Sequence, residues 1–369
     1  MGLIADLFRR DPSLLNTQDS WVRRIFNRIM ACGTGELGVS SFFCTNCSAT
    51  ENFGAGCGSR NCPSCGAAAR RDWVEKANNR LFPTKHFHAV FTLPHQLNSL
   101  IAAHPKLLLD LLMKSVAATL MKFSEQTLKG IPAFMMVLHT WTQTLEPHYH
   151  VHVLIAAGSY SNEKWKPKTG KFLFPIRALS KVFRGKFLEN LLSLCSDSTS
   201  SLYKAVIPSL PSKWNVYCAA PYKSAETTIK YFGKYANRVG ISDSRILEVT
   251  EEEVTLALKK DPNEKEPTPS GNNANGKENK RKITLSIAEF IARFIIHILP
   301  RGFIKIRYGG LYASKSNKRK EVKEKLEESR KTESTQGSSI ATTLLRCSVC
   351  QKEAMIFVRR GFVPQRKPP

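Results

Sequence analysis

Eight of the ten cysteines crowd into two stretches of the chain, and six of those eight form Cys-x-x-Cys pairs: Cys44/Cys47, Cys62/Cys65 and Cys347/Cys350. A segment built this way folds around metal or disulfides before it folds around an apolar core. Paired knuckles favour zinc in a reducing compartment over a secreted disulfide scaffold or a redox motif, which comes singly near a βαβ unit. Cys44, Cys47, Cys62 and Cys65, separated by a short glycine-rich loop, are spaced to converge as four thiolates on one Zn²⁺. Cys57 and Cys32 stand nearby as alternates or second-site ligands. Cys347/Cys350 is half a site that needs another pair to complete it.

The 369 residues are 42% hydrophobic, enough for two or three compact units. Lys and Arg number 55 against 30 Asp and Glu, a formal charge of +25 spread from Arg9 to Arg366. Such an excess points to a polyanionic partner, nucleic acid above all. No apolar run reaches the roughly 18 residues of a membrane span. The N-terminus has neither signal nor acylation architecture, so the expected location is the cytoplasm.

Residues 1–75 form the cysteine-rich module. The main domain is expected over 76–313, opening with the strand-like His86–Leu93, which Pro94 ends. Apolar spacing at Leu107, Leu108, Leu111, Leu112, Val116 and Leu120 predicts a helix over 105–123, and Phe134–Leu138 predicts another strand. A basic amphipathic helix is expected over 172–192. The stretch 260–282 is too polar to bury anything and reads as a flexible insertion. Ser286 is placed to cap a helix that Pro300 stops, and a basic strand follows at 303–308. Residues 314–369 read as a charged linker and a cysteine tail.

The chemistry concentrates in two segments. In Pro147-His148-Tyr149-His150-Val151-His152-Val153-Leu154 the histidines alternate. On a strand His148, His150 and His152 then share one face, while Tyr149, Val151 and Val153 face the core. Neutral imidazoles in register can hold a divalent metal, His150 and His152 in the first place and His148 as a further candidate. In Lys230-Tyr231-Phe232-Gly233-Lys234-Tyr235-Ala236-Asn237-Arg238 two tyrosines lie one helical turn apart. In a helix their Cβ atoms are about 5–6 Å from each other, beside a cationic stripe of Lys230, Lys234 and Arg238. A phenol whose pKa is near ~10 needs help to attack a phosphodiester. A metal to neutralise the phosphate and cations to lower the phenol pKa would supply it, giving a covalent phosphotyrosine and a free 3′ hydroxyl. Arg184, Lys186, Lys305 and Arg307 are expected to contact the phosphate backbone without reading sequence.

These segments resemble the two-tyrosine HUH-endonuclease transposases of rolling-circle insertion sequences. The resemblance covers nearly the whole chain: Cys57–Cys65, Phe87–His95, Pro147–His152, Arg177–Phe187, Tyr231–Ile241 and Leu299–Phe303, in the expected order. It implies an α+β fold, a twisted HUH-type antiparallel sheet with flanking helices behind an N-terminal zinc-binding module. It also implies Tyr231 and Tyr235 as nucleophiles, His150 and His152 as ligands for Mg²⁺ or Mn²⁺, and single-stranded DNA ends as substrate. Where relatives often carry histidine, this chain has Asn61 and Asn237, so the third ligand stays open among Asn237, Glu146, His148 and His88. The zinc module is expected to recognise the element end while the central domain cuts. A plasmid replication initiator or relaxase would use the same chemistry; a non-catalytic zinc-dependent DNA-binding protein would bind without cutting.

Overall fold

The computed structural model describes residues 2–10, 13, 19–194, 203–221, 229, 232–233, 240–258, 281–331 and 345–361. In chain order the helices are α1 (Leu3–Arg10), α2 (Ser20–Met30), α3 (Gly66–Arg80), α4 (Asn98–Ala103), α5 (Pro105–Phe123), α6 (Ile176–Leu194), α7 (Ile287–Ile296) and α8 (Lys318–Lys331). The first seven strands are β1 (Val39–Cys44), β2 (Thr50–Gly54), β3 (His86–Thr92), β4 (Ala133–Trp141), β5 (Pro147–Ala156), β6 (Gly158–Ser161) and β7 (Lys164–Pro167). The remainder are β8 (Val216–Cys218), β9 (Ile246–Val249), β10 (Glu253–Ala257), β11 (Lys282–Ser286), β12 (Ile306–Gly310), β13 (Leu345–Arg346) and β14 (Glu353–Gly361). The fold is α+β with antiparallel sheets.

The central sheet runs β12-β4-β5-β3-β8, every pair antiparallel. Strand alternation divides its side chains between two faces. Phe87, Ala89 and Phe91 of β3, Phe134, Met136 and Leu138 of β4, and Tyr149, Val151, Val153 and Ile155 of β5 enter one core with α4, α5 and α6. The helix α5 starts with Pro105 at its first position, where a missing N–H costs nothing, and buries Leu108, Leu111, Leu112, Val116 and Leu120 of the predicted stripe against this face, leaving Leu107 exposed. Burying Phe91 against Phe183, with ring centroids 5.2 Å apart, is the kind of contact whose loss to alanine costs about 3–5 kcal/mol.

The opposite face carries two environments end to end. Toward one end Met135, Val137, Leu154 and Ala156 pack with Ala77 of α3, Leu81 just after it, Val322 of α8, and Ile229 and Phe232. Gly233 fits here because a Cβ would stand 2.4 Å from Val74 Cγ2 of α3. Toward the other end the same face carries histidines.

A third core joins segments far apart in sequence. Ile4, Leu7 and Phe8 of α1, Val22, Phe26 and Ile29 of α2, and Cys32, Cys57 and Cys62 pack with Leu145, Val254, Leu256, Phe290 and Phe294. Asp19 caps α2 by accepting from the N–H groups of Trp21 (2.6 Å) and Val22 (2.9 Å); Ser286 caps α7 by accepting from Glu289 N–H at 3.2 Å. The cysteine-rich N-terminus thus shares a core with α7 and the sheet β11-β10-β9. The sequence boundary expected at 75 falls inside α3. The residues expected as a tail, 345–361, enter a four-stranded sheet β13-β14-β1-β2 with the N-terminal strands.

Residues 259–280, which hold most of the expected insertion, lie outside the described residues. On either side of them, Leu258 and Arg281 bond backbone to backbone at 2.7 Å beyond the β10–β11 pair. Chain ends already held together are where extra residues cost least.

Candidate metal centres and nucleic-acid site

The strand β5 puts His148, His150 and His152 on one face, as its alternation requires, with Tyr149, Val151 and Val153 buried beneath. Antiparallel pairing then brings in a residue that the sequence did not flag. His139 of β4 stands opposite His150, and the ligating nitrogens of His139, His150 and His152 all lie within 4.8 Å of one another. His150 Nε2 and His152 Nε2 are 3.1 Å apart. His88 of β3 reaches the group from the other side, with its Nε2 2.9 Å from His152 Nδ1. His148 is exposed and outside the three-histidine group.

Burial holds these imidazoles neutral. It pushes His150 down to about 4, with the charge of His148 adding to the effect, and His152 down to about 2, with His150 and His88 adding. His139 lies well below the ordinary range for the same reason, and burial takes His88 to about 4. Neutral nitrogens with available lone pairs, converging on one point, suit a transition-metal cation.

The surroundings are aromatic and cationic. Trp141 stacks on His139 at 5.0 Å between centroids. Lys305 Nζ lies 4.7 Å from the Trp141 ring centre, and burial first, then the charge of Arg60, brings its amine down to about 7. The hairpin between β4 and β5 is held from α7 and just beyond it. Arg293 donates to Thr144 O at 2.7 Å, and His297 pairs with Thr140 Oγ1 at 3.1 Å and Leu145 O at 2.9 Å.

Tyr231, Tyr235, Lys230, Lys234, Asn237 and Arg238 lie outside the described residues. Phe232, which follows Tyr231 in sequence, is 1% exposed, with its ring centroid 5.3 Å from His88 and 6.1 Å from His152. Phe232 itself thus rests against the histidine group.

The basic residues expected on the surface divide. Lys305 is 8% exposed and belongs to the histidine site. Arg307 forms an ion pair with Asp110 and lies against Phe303. Arg184 is half-buried in α6, and Lys186 pairs with Glu189 at 3.6 Å.

The cysteines form two four-sulfur groups with a different membership from the one expected. Cys32, Cys57, Cys62 and Cys65 make one; Cys44, Cys47, Cys347 and Cys350 make the other. The single site of Cys44, Cys47, Cys62 and Cys65 is thereby corrected. Cys44 and Cys47 sit at the tip of the β1–β2 hairpin, while Cys57 follows its base, and five residues of strand separate tip from base by about 16 Å. Sulfur separations are 3.6 Å for Cys57–Cys65 and Cys44–Cys350, and 3.7 Å for Cys62–Cys32 and Cys47–Cys347. A tetrahedron with arms of about 2.3 Å has edges of about 3.8 Å, so both groups match the spacing of a closed Zn–S₄ site. In the first group, hydrogen bonds from Cys32, Cys57 and Cys62 drive the Cys65 thiol far down. The matching hydrogen bonds from Cys32, Cys57 and Cys65 drive Cys62 up. Four thiols sharing one volume in this way call for a cation.

Among the described residues no helix is long and apolar enough to cross a membrane.

Known proteins match both parts of this arrangement. Residues 5–93 match a family described as "Transposase zinc-binding domain", and residues 133–320 match one described as "Putative transposase". The chain is 30% identical over 338 residues to "Putative transposase y4qJ" of Sinorhizobium fredii, covering 86% of this chain and 82% of that protein. It is 28% identical over 306 residues to "Transposase for insertion sequence element IS801" of Pseudomonas savastanoi pv. phaseolicola, covering 78% of this chain and 69% of that protein. Fold, site and matches define a transposase with an N-terminal zinc-binding domain and structural zinc. The chain belongs to the IS91/IS801 type, the transposases of rolling-circle insertion sequences.

Proposed function

We propose that this transposase nicks and rejoins single-stranded DNA at the ends of its element, with Tyr231 and Tyr235 as nucleophiles. The observation that supports the reading is the packing of Phe232, next to Tyr231 in sequence, on His88 and His152. A tyrosine Oη attacks the scissile phosphorus, the P–O3′ bond breaks, the strand's 5′ phosphate becomes esterified to the phenol, and the leaving oxygen takes up a proton as a 3′ hydroxyl. The second tyrosine attacks another strand or takes the first one back.

His139, His150 and His152 would hold a divalent cation, Mg²⁺ or Mn²⁺. Such a cation would neutralise charge on the phosphate as the phenol approaches. His88 orients His152, and Trp141 and Lys305 close the inner side. Lys230, Lys234 and Arg238, when protonated, favour the phenolate and the approach of a phosphate. The zinc groups keep the N-terminal module assembled, and that module recognises the element end. The protein then works in the cytoplasm, on DNA.

The test is a denaturing-gel adduct assay with labelled single strands from the DNA flanking the gene, in Mg²⁺ or Mn²⁺. A covalent adduct should form and disappear in EDTA and in the Tyr231→Phe/Tyr235→Phe double variant. Salt-sensitive binding without any adduct from folded, zinc-loaded protein would leave a non-catalytic DNA-binding protein in its place.

A further inference from the structure

The sheet β13-β14-β1-β2 has almost no core of its own. At one end Cys44, Cys347 and Met355 are buried around the second cysteine group, and the rest of the sheet is open. Yet this open part is aromatic. Phe42 stands directly opposite Phe357, and Phe53, opposite Ser40, lies diagonally across from Phe42 on the same face. Phe42 makes edge-to-face contacts with both, at 5.6 Å between centroids in each case. Phe53 is 47% exposed and Phe357 58%.

An arginine accompanies the rings. Arg360 is paired with Ser40 in register and therefore shares the aromatic face; its Nη2 donates to Gly56 O at 3.2 Å. Arg359, paired with Ser41, lies on the opposite face. Large rings left in water on an antiparallel sheet are a cost to solubility unless something flat covers them. A ligand that is flat, apolar on its faces and anionic along its length answers both features. Single-stranded DNA is such a ligand, because its bases are unstacked and free to lie on rings while its phosphates meet arginine. A duplex hides its base faces and offers only the charge.

We infer that the face of Phe42, Phe53 and Phe357, flanked by Arg360, is a stacking platform for a single DNA strand. It is assembled only when the second cysteine group clasps residues 347–350 to the β1–β2 hairpin. The inference rests on the proposed action on single-stranded DNA and gives that reaction a site for holding the strand away from the histidines. Neither family match reaches residues 345–361.

The experiment uses the full-length, zinc-loaded protein and a fluorescein-labelled single strand of about 20 nucleotides from the element end, with the matching duplex alongside, read by anisotropy. The double variant Phe53→Leu/Phe357→Leu keeps apolar bulk but removes the ring faces, and should weaken single-strand binding at least tenfold while changing duplex binding far less. Arg360→Gln should flatten the salt dependence of binding, whereas Arg359→Gln, on the other face, should change it less. Zinc content and melting temperature report whether each variant is folded, and a 5-iodouracil strand crosslinked to wild type should map to Phe53 or Phe357. Failure of wild type to bind single strands at all would overturn the proposed function itself. Wild-type binding with unchanged affinity in folded Leu variants would overturn the platform alone. Loss of self-association in those variants at unchanged DNA affinity would overturn it too, making the face an interface between two copies.

Discussion

His88 Nε2 lies 2.9 Å from His152 Nδ1, so the imidazole of β3 meets the one on β5 across adjacent strands. One of the two nitrogens must donate. If His152 binds metal through Nε2, which is 3.1 Å from His150 Nε2, its Nδ1 carries the proton and His88 accepts it. His88 is then a positioning residue. His88→Ala should weaken Mn²⁺ binding about 10–100-fold, measured by calorimetry on the zinc-loaded protein. His88→Gln, whose amide oxygen still accepts, should recover part of that loss. Equal Mn²⁺ affinity in all three proteins would show that the contact orients nothing.

His139 and His148 make a sharper comparison. His139 is in the three-histidine group and buried; His148 is exposed and outside it. His139→Ala should abolish Mn²⁺ binding and adduct formation, whereas His148→Ala should change either by no more than about threefold. An all-imidazole donor set also favours Mn²⁺ over Mg²⁺ at equal concentration. Tighter binding of Mg²⁺ would contradict the ligand set.

The second cysteine group predicts a stoichiometry. With two four-sulfur groups the protein should bind two Zn²⁺, and Cys347→Ser/Cys350→Ser should leave one. Without its metal the clasp opens, and β14 should become a preferred site of limited proteolysis while the central sheet resists. A variant that keeps both zincs would place the second metal elsewhere.

Two buried histidines outside the ligand set predict how stability follows pH. Burial brings His86, which pairs with Thr84 O and Tyr312 Oη, and His297 each from 6.5 down to about 4. The unfolded chain takes up these protons below about 6.5, and the folded chain resists until about 4. The stabilisation is therefore complete above pH 6.5 and lost as pH falls through that window, by up to about 3 kcal/mol for each histidine. Urea unfolding of wild type and His86→Gln at pH 7, 6 and 5 checks it: the variant should lose less stability per pH unit, by up to about 1.4 kcal/mol. Parallel curves would show that His86 is not the titrating group.

Much of the fold was legible because its signals are local. The stripe Leu108-Leu111-Leu112-Val116-Leu120 predicted a helix whose observed bounds are Pro105–Phe123. Ser286 begins its helix as its side chain requires, although the helix ends at Ile296, before Pro300. The basic strand lies at Ile306–Gly310, later than expected, so Lys305 falls just before it and is drawn inward. His139 was missed for a different reason. A single histidine at the end of an apolar strand looks like any core histidine until that strand is paired.

The sequence by itself determined the periods and the chemistry: alternating histidines on one face of a strand, cysteines in metal-binding pairs, a basic chain and two tyrosines four positions apart. These follow from dihedral geometry over a few residues and need no neighbour. Tertiary structure decided the partners. It set His139 against His150, His88 against His152 and Phe232 against both His88 and His152, and it joined Cys347 and Cys350 to a hairpin some 300 positions away. Such contacts depend on strand register and the burial of shared cores, which are properties of the whole chain's packing.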